Sequence, residues 1–238
     1  AAGGSCNVVP LKNFTHDLEA MARAITGRTR IVFLANPNNP TGTIYRRKEW
    51  EGFLERITPE LLLIVDEAYF EYVTDPDYPN SLSYHGEPGA LLTLRTFSKL
   101  YGLAGLRIGY GVGPKKVVDL MHRVRQPFNV NAAAQWAALA ALEDHEHVMR
   151  SLKVNREGMD YLNEEIAKLG LERIPSQGNF ILIRVGDGQT VFNRLLKRGV
   201  IVRPMGAYNF PEYIRVTVGI VKENSRFINE LKNIIKDQ

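Results

Sequence analysis

Leu61-Leu62-Leu63-Ile64-Val65-Asp66-Glu67-Ala68-Tyr69 is the stretch on which the fold turns. Five consecutive apolar residues have the length of a strand and none of the 3.6-residue period of a surface helix. Residues 31–35 and 91–94 are two further runs of this kind. Continuous apolar runs suit strands of a parallel sheet buried on both faces. Helix candidates lie around them, at residues 17–25 after Thr15 as N-cap, and at residues 46–56 after an Asn/Pro/Gly turn. Strand, loop, helix, strand is the βαβ pattern of an open α/β sheet. Ligands in such sheets gather at the carboxyl ends of the strands. Three polar segments fall there: residues 36–42, 66–69 and 96–99.

The pattern changes downstream. Residues 132–142 are Ala-rich and read as a packed helix. Residues 145–169 read as a long polar helix closed by Gly170 as C-cap. Strands are expected at 180–185, 200–203 and 213–218, and helices at 189–198 and 222–235. The fold expected is therefore α/β: a large domain with a mostly parallel sheet over residues 1–150, then a small α+β domain over 151–238.

Several function classes drop out. The 238 residues carry a net charge of only +4, with 30 cations among 26 acids, and 45% are apolar. The densest basic cluster, His122, Arg123 and Arg125, is short and has no interleaved aromatics, so it reads as a solvated helix face and not a nucleic-acid surface. The longest apolar runs are too short to span a bilayer. Residues 1–10 lack the charged start and apolar core of a signal peptide. Cys6 is the sole cysteine, which excludes an internal disulfide and fits a reducing cytoplasm. His145 and His147 sit two apart and diverge on a helix, so no metal site is expected. Gly109-Tyr-Gly-Val-Gly113 lacks the third glycine of a dinucleotide fingerprint.

Chemistry concentrates in the three strand-end segments. In Thr96-Phe-Ser-Lys99 a nucleophilic lysine needs burial or a nearby cation to lose its proton. The hydroxyls of Thr96 and Ser98, with Arg107 eight residues past Lys99, can grip a phosphate. A phosphate beside an imine-forming lysine is what pyridoxal 5′-phosphate (PLP) requires. Taken alone, the segment also reads as a loop with a surface lysine. Asp66 ends an apolar strand, so a buried carboxylate needing a cationic partner is expected there, such as the PLP pyridinium nitrogen. Tyr69 can bond the cofactor's phenolate oxygen. A strand-end Asp capping the next helix is the plainer alternative. Asn36-Pro-Asn-Asn-Pro-Thr-Gly42 is a rigid turn from which Asn39 can reach the same phenolate, or simply an ordinary turn.

Together these segments resemble the class I/II, fold-type I PLP-dependent aminotransferases, and within them the histidinol-phosphate aminotransferase group. The residues that carry the resemblance are Ala35-Asn-Pro-Asn-Asn-Pro-Thr-Gly-Thr43, Asp66-Glu-Ala-Tyr69, Arg95-Thr-Phe-Ser-Lys99 and Leu103-Ala-Gly-Leu-Arg-Ile-Gly109. The resemblance implies that Lys99 is the Schiff-base lysine and Asp66 the pyridinium partner. It implies that Tyr69 and Asn39 bind the phenolate oxygen, and that Thr96, Ser98 and Arg107 bind the phosphate. Lys99, Asp66 and Tyr69 form the implied catalytic set.

Val202-Arg-Pro-Met205 and Tyr213-Ile-Arg-Val-Thr-Val-Gly219 resemble the end of the same group. There Arg215 maps onto the substrate-anchoring arginine, and Arg203 onto a second that grips a phosphate ester. Two arginines can neutralise a dianion; a pair of surface salt bridges is the alternative. Asn179 in Gln177-Gly-Asn-Phe180 resembles a pocket-lining position, and Asn129-Val-Asn131 a segment near the cofactor.

The implied reaction moves the amino group of L-histidinol phosphate to 2-oxoglutarate, in a cytoplasmic homodimer of histidine biosynthesis. Threonine-phosphate decarboxylase, an aromatic amino-acid aminotransferase and the PLP-sensing domain of a regulator remain alternatives. The family's N-terminal part has no counterpart in the sequence: a substrate-covering arm, the first strands, a phosphate-binding turn and a ring-stacking aromatic. Nor can the tyrosine contributed by the partner subunit be mapped. Residues 1–10 are thus expected to enter at an internal strand of a longer protein; were the 238 residues the entire polypeptide, a sheet without its first strands would expose apolar faces.

Overall fold

In a computed structural model, which describes residues 3–86 and 90–236, the three apolar runs are strands. They are β1 (Ile31–Ala35), β2 (Leu62–Asp66) and β3 (Ala90–Thr96). β1 pairs with β2 and β2 with β3, both parallel, with Ala35 opposite Asp66 and Asp66 opposite Leu94. All three therefore point their carboxyl ends the same way. A fourth strand, β4 (Gly109–Val112), joins β3 antiparallel and completes the order β1-β2-β3-β4. β4 was not expected, because its alternate glycines hide the strand pattern. Those glycines allow a close approach: a Cβ on Gly109 would lie 2.7 Å from the Arg95 carbonyl oxygen.

Two helices cover one face of this sheet, α1 (Leu18–Ala24) and α2 (Arg47–Leu54). The N-cap of α1 is Asp17, whose carboxylate accepts from the Ala20 N–H at 2.9 Å, and not Thr15. Thr15 is instead paired with Lys12 in an isolated bridge. Val32, Leu34, Leu63, Val65 and Leu91 pack against Leu18, Trp50, Phe53 and Leu54. Trp50 is fully buried and stacks on Tyr45 at 5.6 Å.

Burial on both faces is observed only along β3, where Leu91, Leu92 and Thr93 are all buried, whereas β1 and β2 bury alternate residues. β1 alternates strictly, so Ile31 is 46% and Phe33 66% exposed while their neighbours are buried. The next helix, α3 (Lys115–Val124), buries no residue. In α4 (Ala132–Glu143) only Ala134 and Ala138 are buried and Trp136 is 73% exposed, so the packed helix expected from its alanines is packed along a narrow stripe only. Residues 3–10 form no strand, contrary to the internal strand expected at the start of the chain.

The described chain divides into two compact units. The first holds the elements above with α4 only as far as Ala138, namely the chain up to Asn38, then Ile44–Phe70 and Thr74–Ala138; the second holds Asn39–Thr43, Glu71–Val73 and the chain from Leu139 onward. The second unit contains α5 (His145–Lys168), β5 (Arg173–Ile174), β6 (Phe180–Arg184), α6 (Gly188–Lys197), β7 (Arg203–Pro204), β8 (Tyr213–Thr217) and α7 (Val221–Lys236). Gly170 closes α5 with φ +71°, and the Leu171 N–H returns to the Ile166 carbonyl.

The second sheet is antiparallel with order β5-β6-β8-β7. Its Ile181, Ile183, Ile214 and Val216 form one core with Leu162, Ile166, Val191, Leu195, Phe227 and Leu231 of the three helices. Register places Phe180, Leu182, Arg203 and Arg215 on the other face. The strand expected at 200–203 is observed only at Arg203–Pro204.

Candidate active site

In the first unit, β3 delivers Thr96 and then a tight loop. Phe97 and Leu100 are buried, which anchors the loop and leaves Ser98 and Lys99 half-buried between them. The loop is closed by Gly102 N–H to the Lys99 carbonyl at 3.0 Å and Leu103 N–H to the Phe97 carbonyl at 2.9 Å. The Lys99 ammonium nitrogen lies 5.1 Å from the centre of the Tyr69 ring, so the structure brings these two predicted residues together. Tyr69 is buried.

Asp66 differs from expectation: its carboxylate is exposed, not buried. The reason is strand alternation. Leu63 and Val65 point under the helices, so Leu62, Ile64 and Asp66 take the opposite, open face. One oxygen of Asp66 accepts from the Ala68 N–H at 3.0 Å, which fixes the turn leading to Tyr69.

Thr96 and Ser98 are also brought together. The Thr96 hydroxyl accepts from the Ser98 N–H at 3.0 Å and faces the Ile108 carbonyl at 3.4 Å. Ile108 also accepts from the Phe97 N–H, so Arg107 sits one residue from that junction. Arg107 has a left-handed backbone, φ +57°, and its guanidinium donates to the Ala104 carbonyl at 2.7 Å rather than to Thr96 or Ser98. Asn131 caps α4 through the Ala134 N–H at 2.8 Å and reaches the Leu106 carbonyl at 3.4 Å. Asn129 instead accepts from Arg125.

The buried carboxylate is Glu67, next in sequence, with no side-chain exposure. Its Oε2 accepts from Arg95 Nε at 3.1 Å and Nη2 at 2.7 Å, and its Oε1 from the Ser81 N–H at 2.8 Å. Arg95 Nη2 also donates to Asn80 at 2.9 Å, and the guanidinium lies 3.6 Å over the Phe70 ring. Burial pulls the Arg95 pKa down, and the bonds and charge of Glu67 more than offset it, holding it above its ordinary value. Nearby, burial and then the Glu67 charge push the Tyr78 phenol well up, so it stays protonated and donates to the Asn36 carbonyl at 2.6 Å. Glu67 and Arg95 were missed as functional candidates. The available signal was an acid and a base at matching positions of adjacent strand ends, which only parallel register turns into a contact.

The second unit gathers the other predicted residues. Arg203 and Arg215 stand directly opposite each other across the β7–β8 ladder. Like charges in that position repel, at a cost of roughly 0.2–1 kcal/mol. Among the described residues neither has a carboxylate partner. Arg215 donates to the Asn39 side-chain oxygen, and its guanidinium carbon lies 5.0 Å from the Phe180 ring centre. With its oxygen so engaged, Asn39 keeps its amide N–H groups for another acceptor. Arg203 lies 6.0 Å from the Tyr208 ring centre. Asn179 accepts the Val218 N–H on its backbone carbonyl. The turn carrying Asn39 is pinned by the Gln177 N–H to the Gly42 carbonyl at 2.8 Å. Gly42 has φ +77°, and a Cβ there would overlap Ser176 Oγ.

One unit thus holds a mostly parallel sheet with a lysine, a tyrosine and an exposed aspartate at its carboxyl ends, and the other an antiparallel sheet carrying an arginine couple, the arrangement of an α/β protein. This chain belongs to the aminotransferase class I and II family, whose model matches residues 1–231. It is 50% identical over 236 residues to histidinol-phosphate aminotransferase 1 of Nitrosococcus oceani, covering 99% of this chain and 64% of that protein. It is also 50% identical to the histidinol-phosphate aminotransferase of Moorella thermoacetica, covering 98% and 61% respectively. The crystal structure of the Sinorhizobium meliloti histidinol-phosphate aminotransferase in complex with pyridoxal-5′-phosphate superposes with a TM-score of 0.90 at 28% identity, over 99% of this chain and 65% of that one. The chain thus spans less than two thirds of the length of these relatives.

Proposed function

We propose that this protein is a PLP-dependent aminotransferase that takes the amino group of L-histidinol phosphate and passes it to 2-oxoglutarate, a step of histidine biosynthesis in the cytoplasm. The observation that carries the reading is Lys99 held over Tyr69 at the end of β3, with the Asp66 carboxylate open at the end of the adjoining strand.

These residues fit the cofactor. An exposed aspartate has an unused oxygen for a pyridinium nitrogen. Tyr69 is a donor for a phenolate oxygen. Thr96 and Ser98 offer hydroxyls to a phosphate, and Arg107 adds a charged fork once it leaves the Ala104 carbonyl. When bound, PLP supplies an electron sink for the substrate's Cα. Lys99 is the residue that would anchor it, and the same Nζ moves the proton at Cα, as base and then as acid.

The Arg203–Arg215 couple supports a substrate that carries a phosphate ester, because a dianion turns a repulsive cross-strand pair into a charge-assisted clamp. Asn179 lines the same pocket in this reading. In this reading the first unit is the PLP-binding domain and the second unit, which holds the whole of α5, is the small domain. A homodimer is part of this reading, and the exposed Val124, Phe128 and Trp136 supply apolar surface that a second copy would cover.

The test is a substrate screen of PLP-loaded protein with 2-oxoglutarate as acceptor. Glutamate formed from L-histidinol phosphate, in preference to phenylalanine, is the expected result. Carbon dioxide released from threonine phosphate without amino transfer would overturn it in favour of a decarboxylase.

A further inference from the structure

We infer that the buried Glu67–Arg95 pair is a positioning device that fixes Asp66 and the Thr96–Lys99 loop relative to each other. The inference rests on the PLP reading above and adds to it two residues that do not touch the reacting atoms.

The geometry is specific. The parallel ladder between β2 and β3 ends at Asp66 opposite Leu94, and one last backbone bond runs from the Glu67 N–H to the Leu94 carbonyl at 2.9 Å. Beyond it the strands have no backbone rung. Glu67 and Arg95 supply the next rung with side chains. Both are one residue from a candidate site residue, Glu67 after Asp66 and Arg95 before Thr96. Alternation turns them away from the site and into the interior. The carboxylate there accepts three hydrogen bonds, two from one guanidinium and one from a backbone N–H. The guanidinium is held a third time by Asn80 and stacked on Phe70, the residue after Tyr69. A planar fork fixed at this many points has little freedom to rotate. The pair therefore ties the Asp66–Tyr69 turn to the strand that carries Lys99.

A brace of this kind differs from ordinary core packing. Losing packing lowers stability and leaves the site geometry intact in the molecules that remain folded. Losing the brace shifts Asp66 against Lys99 in every folded molecule. Misplacement by a fraction of an ångström lowers turnover on the order of tenfold without a matching change in substrate affinity.

The experiment compares E67Q with L54A in PLP-loaded protein. The glutamine side chain keeps the shape and loses the charge, and Leu54 is a buried core residue at the last position of α2. The main readout is the pH titration of the bound cofactor's visible absorbance, followed by kcat, KM and the melting temperature. E67Q is expected to move the titration midpoint by about half a pH unit or more, roughly a threefold change in that equilibrium. It is also expected to lower kcat about tenfold with KM changed less than about twofold. L54A is expected to melt lower with a native titration and kcat. An E67Q protein that melts lower yet titrates and turns over as wild type overturns the inference. If E67Q does not fold, N80A, which removes the outer acceptor of Arg95 together with the cap on the Leu82 N–H, is titrated instead, and a native midpoint overturns the inference. Wild type that binds no PLP at Lys99 is a different result and refutes the functional reading itself.

Discussion

Substituting Gly109 by alanine probes the junction between fold and site most sharply. Gly109 pairs with Thr96 in the β3–β4 ladder, and its missing Cβ would stand 2.7 Å from the Arg95 carbonyl oxygen and 3.5 Å from the Thr96 Cα. Ordinary contact begins near 3.4 Å, so the two backbones must part by roughly 0.7 Å. Neither contact is the end of a flexible side chain, so nothing nearby can simply turn aside. Overpacking of this kind costs about 1–3 kcal/mol. In a chain of this length that lowers the melting temperature by roughly 2–4 °C per kcal/mol. The displaced atoms belong to Arg95 and Thr96, so affinity for PLP should fall as well. The assay is a thermal melt with a PLP titration, run beside G111A. There the added methyl meets two leucine methyls at 3.2 and 3.3 Å, which can yield. The expected order of damage is G109A well above G111A. A G109A protein that melts within about 1 °C of wild type and binds PLP equally well would refute the close packing of β4 as the reason for its glycines.

Three further perturbations address other parts of the molecule. R215A should weaken binding of phosphorylated substrate by roughly ten- to a hundredfold, the loss of one hydrogen-bonded charge, while PLP affinity changes little; equal losses in KM and PLP titrations would count against its assigned role. Burial holds the His16 pKa below its ordinary value, and a hydrogen bond to Asn38 only partly restores it. The unfolded chain therefore binds more protons below about pH 6.5, so stability should fall as pH drops from there toward the lower folded value. Urea melts should show this slope flattened in H16Q, and an unchanged slope would contradict it. I183A empties a fully buried position in the core of the second unit and should cost about 2–5 kcal/mol, read as a lower urea midpoint at unchanged slope.

Much of the fold was legible because its signals are local. Three apolar runs became three parallel strands, and Gly170 closes α5 in the left-handed conformation expected of it. β4 escaped because Gly109 and Gly111 erase the alternation that marks a strand; their purpose shows only against Arg95 and Leu94. The site residues were legible as segments but not as environments. Asp66 and Glu67 are adjacent acids, and which one is buried depends on which sheet face the helices cover. An apolar run cannot say whether one face or both are covered, so the exposure of Phe33 was not foreseen from β1 itself. The opposition of Arg203 and Arg215 depends on register, which neither segment encodes alone.

Every role proposed for the first unit converges on Lys99, and one measurement addresses that residue directly. The protein is loaded with PLP, reduced with borohydride, digested, and its peptides weighed. One cofactor equivalent per chain is expected, on the peptide containing Lys99, with no fixed cofactor in K99A. Fixation at another lysine, or undiminished fixation in K99A, would contradict the assignment.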